Sequence, residues 1–108
     1  MNVQREMQFT FLACADLKAI WDAIAMPADI WGVTISENLA SAQDFATAFA
    51  QHCELVARNP ELGLERNELH HDIRSSTFRK YVLFYRVRGP IVEVVRVLRA
   101  TKDVARPA

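Results

Sequence analysis

Residues 80–88 and 91–99 each read as a strand of period two, and Gly89-Pro90 separates them. In 80–88, Tyr81, Leu83, Tyr85 and Val87 point one way and Val82, Phe84, Arg86 and Arg88 the other. In 91–99, Val92, Val94 and Leu98 share a face with Arg96, while Ile91, Val95 and Val97 share the other with Glu93 and Arg99. Period two with a Gly-Pro turn predicts a β-hairpin. A hairpin alone is barely stable in water, so the rest of the chain must supply more strands or a covering layer.

That layer is legible upstream. ACADLKAIWDAIAMP places Leu17, Ile20, Trp21 and Ile24 at helical spacing, and Pro27 interrupts. ADIWGVTISEN continues the stripe through Ala28, Trp31 and Ile35, but Gly32, Val33 and Thr34 disfavour a helix, so it reads as a broken extension of the first helix. Ser36 is the expected cap of a second helix reaching residue 58, with Leu39, Ala42, Ala46, Phe49, Cys53 and Val56 on one face. Asn59-Pro60 ends it. QFTFL at 8–12 predicts a short first strand, residues 59–71 a polar loop, and IRSS around Arg74 another short strand. The expected class is α+β: a short N-terminal strand, a helical hairpin, then a C-terminal antiparallel sheet with the helices on one face.

At 108 residues and 51% hydrophobic, the chain suits one folded domain spanning 1–108. No apolar run reaches the ~18 residues of a membrane helix. MNVQREMQFTFLAC lacks the basic-then-apolar build of a secretory signal, which predicts a cytoplasmic protein with no membrane partner. Cys14 and Cys53 form no CxxC pair and read as two buried, reduced thiols.

The zero net charge hides a division. Residues 1–71 carry four cations and ten carboxylates, a balance of −6; residues 72–108 carry nine cations and three carboxylates, a balance of +6. The basic half suits an acidic partner, a nucleic acid, or the acidic half of its own chain. On and before the hairpin lie Arg74, Arg79, Lys80, Arg86, Arg96, Arg99 and Lys102. So many like charges close together make complete internal pairing unexpected, although Arg86 and Arg96 have Glu93 and helix carboxylates as possible partners.

Taken in order, ADLKAIWDAIA, ARNPELGLERNEL, IRS, YVLFYRV and VEVVRVLRATKD resemble the ParE/RelE superfamily of type II toxins, closest to the ParE, or plasmid-stabilisation, branch. The likeness runs from about residue 9 to residue 103. It departs from the family in the segment between the helices, which is longer than usual, so residues 26–38 carry no transferred assignment. The family fold is a short strand, a helical hairpin and an antiparallel sheet, in agreement with the periodicity.

The resemblance implies one of three functions. RelE-type relatives cut messenger RNA on the ribosome, which needs cations for the phosphate and a base for the 2′-hydroxyl. Arg74 falls at their catalytic arginine, and Lys102 near a second basic position. Their C-terminal Tyr or His-Tyr is missing, however, because this chain ends KDVARPA, and Tyr81 stands where some of them carry a basic residue. ParE-type relatives instead bind and poison DNA gyrase without catalytic residues, and the missing terminal base favours that branch. The seven cations would then contact gyrase, its DNA or an acidic stretch of antitoxin. A non-toxic, antitoxin-binding member is the third reading. In each, a cognate antitoxin that is largely disordered alone folds over the toxin into a hetero-oligomer. Val82, Phe84 and Val94 are the expected floor of its groove.

No cofactor is expected, since there is no Gly-rich phosphate loop and no Ser-His-Asp arrangement. No metal is expected either. His70 and His71, adjacent in a polar loop, should not both point at one metal without distortion, with no Cys or third His spaced to help, and His52 reads as a helix-surface or packed residue.

Overall fold

A computed structural model describes residues 5–25 and 35–101. In chain order the elements are β1 (Glu6–Phe9), α1 (Phe11–Ala25), α2 (Ile35–Arg58), a short 3-10 turn (Pro60–Leu62), β2 (Leu64–Glu65), β3 (Arg74–Phe78), β4 (Tyr81–Arg88) and β5 (Ile91–Arg99). The fold is α+β. Five strands form one sheet in the order β1-β5-β4-β3-β2. From β2 to β5 every pairing is antiparallel, as expected. β1 joins the β5 edge in parallel, Glu6 opposite Ile91 and Phe9 opposite Val94, so the whole sheet is mixed.

The first strand ends earlier than QFTFL suggests, and the cause is Thr10. Its hydroxyl accepts the Ala13 N–H at 3.1 Å and donates to the Val95 carbonyl at 2.9 Å. Thr10 therefore caps α1 and ties the helix start to β5. α2 begins at Ile35, so Ser36 lies within its first turn rather than at the cap. It ends before Pro60 as expected, and the broken helix read at 28–34 lies outside the described residues.

The helix pair covers one face of the sheet. There Ile20, Phe45, Phe49, Cys53 and Val56 meet Tyr81, Leu83, Tyr85, Val92, Val94 and Val97. Phe45 takes the core position that the sequence pattern gave to Ala46, which is exposed, and Leu39 is 44% exposed. Phe45 is the hub of the aromatic packing: it stacks on Phe49 at 5.9 Å and meets Phe78 at 5.5 Å and Tyr81 at 5.6 Å edge-on. The opposite sheet face carries a smaller cluster of Ile73, Val82 and Phe84, with Val95, Leu98 and Ala100 packed against it. Cys53 is buried as expected, its thiol pushed up to about 11 by desolvation, whereas Cys14 is exposed on α1.

One bulge corrects the sequence reading of β5. Phe84 faces Arg96 while Tyr85 faces Val94, leaving Val95 as an extra residue. The alternation therefore changes phase. Val97 turns to the helix-covered face with Val92 and Val94, and Leu98 turns away with Val95.

Beyond Phe9, β1 no longer covers the edge of β5, and α1 takes over. The Asp16 carboxylate accepts the Val97 N–H at 3.0 Å and a two-pronged contact from Arg96 at 2.8 and 3.0 Å. A side chain thus stands in for a missing strand. The hydrogen bond from Arg96, helped by the Val97 N–H, holds the Asp16 carboxyl below its ordinary value against desolvation. A depressed folded-state value means that this stabilisation is present above pH ~4 and fades as pH falls through the folded value. Asp16→Asn is expected to lower stability by about 1–2 kcal/mol at pH 7, since Arg96 is partly exposed. The difference from wild type should shrink as pH falls below about 4, which urea unfolding at pH 7 and pH 3 would check.

Candidate functional site

The cations of the basic half meet the carboxylates of the acidic half. Arg96 pairs with Asp16 at 2.8 Å, Arg79 with Asp44 at 3.3 Å and Arg74 with Glu65 at 3.2 Å. Arg86 lies directly across the hairpin from Glu93 and bonds it at 2.7 Å; Arg88 approaches the same carboxylate at 3.7 Å. Internal pairing thus goes much further than like-charge crowding suggests. The carboxylates come from α1, α2, β2 and β5, brought in by the fold from positions up to 80 residues away. Among the described residues, Lys80 and Arg99 are exposed cations with no such partner, and Lys102 lies outside them.

Nor do the seven cations form one patch. Arg79 and Lys80 make the β3–β4 turn, and the Lys80 carbonyl accepts the Ala100 N–H at 2.8 Å, which places Arg99 at the same end of the sheet. Arg86 and Arg88 belong to the other end, since Lys80 and Arg88 are separated by about 25 Å of extended strand. Arg79 adopts φ 54, a conformation that usually selects Gly or Asn. Its guanidinium lies 5.2 Å from the Phe78 ring and 6.0 Å from Phe45, contacts that offset the backbone cost.

Arg74 is the residue that a nuclease reading needs most, and it is engaged by the protein itself. Its guanidinium donates to the Gly63 carbonyl at 2.8 Å and the Glu61 carbonyl at 3.2 Å, besides Glu65. It staples the segment 61–65 against β3. Tyr81 is buried at the edge of Phe45. His52 shares a 2.8 Å hydrogen bond with the Ser76 hydroxyl and packs 5.3 Å from Phe78, with its basicity lowered by burial.

Val82, Phe84 and Val94 do not make one groove floor. All three are buried, but Val94 belongs to the helix-covered core and Val82 and Phe84 to the opposite cluster. The alternation of β4 and its pairing with β5 put them on different faces. The open apolar groove lies elsewhere, between α1, α2 and β1. It has a volume of about 470 Å³ and is lined by Met7, Phe9, Leu17, Trp21, Phe49 and Cys53 among others. Leu17 and Trp21 were visible as a helical stripe, but only the fold sets them beside Met7 and Phe9. Among the described residues β1 is an edge strand of the sheet, and its Met7 and Phe9 line the same groove.

His70 and His71 depart from expectation. Adjacent residues diverge in a strand, but His71 and Asp72 lie in a turn. Their ring centres are 4.3 Å apart, and the His70 Nδ1 bonds the Asp72 carboxylate at 2.6 Å.

Comparison with known proteins agrees with this architecture. The family model described as the ParE toxin of the type II toxin-antitoxin system parDE matches residues 7–104. The chain belongs to the ParE toxin family. A solved structure described as the chromosomal ParDE TA system from P. aeruginosa shares the fold with a TM-score of 0.63. It is 20% identical, over 91% of this chain and 98% of that one. No curated protein sequence gives a significant match. Among the described residues, no helix is long and apolar enough to cross a membrane.

Proposed function

We propose that this ParE-family toxin acts in the cytoplasm by binding DNA gyrase rather than by cutting RNA, and that a cognate antitoxin neutralises it. The observation that carries this reading is the state of Arg74. A phosphate-holding arginine turns its fork toward the substrate, whereas three of the five Arg74 N–H donors are turned inward, to the Gly63 and Glu61 carbonyls and to Glu65. Residues 102–108, KDVARPA, contain no tyrosine or histidine to act as a base. A binding toxin needs neither. The exposed cations Lys80 and Arg99, with Arg79 beside them, are the contacts with gyrase or its DNA. The groove between the helices and β1 receives an apolar segment of the antitoxin, in the manner of a helix in a groove.

The test is induction of the chain in a bacterial host, followed by recovery of plasmid and total RNA from the same culture. Altered plasmid topology with intact messages is the expected result. Cleaved messages with normal topology would overturn it in favour of ribosome-dependent cleavage. Harmless expression with tight antitoxin binding would leave a non-toxic binding protein. With purified gyrase, Lys80→Glu combined with Arg99→Glu is expected to weaken inhibition of supercoiling about tenfold or more, because both charges reverse at a surface that meets an anion.

A further inference from the structure

The turn joining β2 to β3 carries three metal-ligating side chains that the toxin reading leaves unused. His70, His71 and Asp72 are exposed, and each offers one ligand atom; all these atoms lie within 4.8 Å of one another. Two of the chain's three histidines are at this spot.

We propose that His70, His71 and Asp72 form a binding site for one borderline divalent transition ion of the zinc class. Two imidazole nitrogens and a carboxylate oxygen match the preference of Zn²⁺ and Ni²⁺, and they do not match the all-oxygen shells of Mg²⁺ or Ca²⁺. The His70 and Asp72 atoms already stand 2.6 Å apart, close enough to straddle an ion after a small rotation. All three side chains are exposed, so side-chain torsions alone can bring His71 in to the roughly 2.0–2.2 Å that zinc requires.

The backbone beneath them is fixed. The His70 N–H donates to the Arg66 carbonyl, the Ile73 N–H to the His70 carbonyl at 3.1 Å, and the Arg66 N–H to the Ile73 carbonyl at 2.9 Å. A preset turn lowers the entropy that binding must remove. Asp72 sets a carboxylate oxygen beside the two imidazoles, already in contact with His70. The two imidazole rings already pack 4.3 Å apart, which keeps their nitrogens within reach of one ion. Three protein ligands leave an open position for water or for a donor from a bound macromolecule.

Exposed Cys14 could capture zinc on its own, so the untagged full chain is tested in a Cys14→Ser background. Titration with Zn²⁺ against a chromophoric chelator should show one equivalent bound, with weaker uptake at pH 5.5 than at pH 7.5. His71→Ala and Asp72→Asn should each weaken uptake about tenfold or more. Mg²⁺ should not compete. Paramagnetic Ni²⁺ should broaden the ring protons of His70 and His71 and spare those of His52. Absence of saturable uptake, uptake in both variants undiminished from the Cys14→Ser parent, or broadening centred on His52 would overturn the proposal.

Discussion

Phe45→Ala is expected to cost about 3–5 kcal/mol, the usual range for removing a buried aromatic ring. Phe45 joins α2 to the sheet through three rings at once, Phe49 on its own helix and Phe78 and Tyr81 on β3 and β4. Arg79 also leans on its face. The alanine would leave a cavity that α2 cannot close without dragging Phe49 from Phe78, which it meets at 5.5 Å. Since domains of this size are stable by only about 5–15 kcal/mol, the variant should unfold at a much lower urea concentration. Phe45→Leu, which keeps much of the volume, should lose clearly less. Equal losses in the two variants would show that the rings do not pack as described.

Gly63→Ala is the second large effect, and its reason is space rather than backbone freedom. Gly63 has φ −68 and ψ 153, which any residue adopts. A Cβ there would lie 1.9 Å from the Tyr85 hydroxyl oxygen and 2.8 Å from the ring carbon bearing it. Tyr85 is rooted in the core at 1% exposure and donates its hydroxyl to the Pro60 carbonyl at 2.6 Å. Neither side can yield freely. The expected cost is about 2–4 kcal/mol, combining overpacking with a lost buried hydrogen bond. Tyr85→Phe removes the nearer clashing atom, so Gly63→Ala should cost less in that background, a coupling that a double-mutant cycle by urea unfolding measures. Additive losses would refute it. Arg74 holds the same Gly63 from the outside through its carbonyl. The NPELG stretch is thus gripped from two directions.

What the sequence shows and what it hides follow from the range of the interactions involved. α2, the β4–β5 hairpin and the Gly89-Pro90 turn, where Gly89 has φ 58, are local patterns and are legible. The β1–α1 boundary is not, because Phe9, Phe11 and Leu12 are all apolar across it. Phe11 and Leu12 are in fact 85% and 54% exposed, and only the two hydrogen bonds of Thr10 mark the break. The Arg79-Lys80 turn is hidden since neither residue is a usual turn former. The β5 bulge is hidden because valines at 94, 95 and 97 fit either phase.

The surfaces were harder to read than the fold. Each basic residue is visible in the sequence, but its partner is not, because Asp16 and Arg96 are 80 positions apart. Apolar side chains are most dense on the hairpin, which is where the sequence places a groove floor. Density there reflects a sheet buried on both faces. The open groove lies where two helices and one short strand meet, which no local pattern reports.

The parallel placement of β1 bears on how the protein is made. β1 leaves the ribosome well before its partner β5; Thr10 and Val95, which hold the two together, are 85 positions apart. Until then β1 has no strand to pair with, and α1 has no edge for Asp16 to cover. Such a sheet closes late and as a unit, because the loop must be closed before the contacts repay it. A chain cut short ahead of residue 91 therefore lacks the closing strand and both of its edge contacts. Synthesis interrupted there yields fragments without the native sheet, because the central pairing partner of both β1 and β4 is missing.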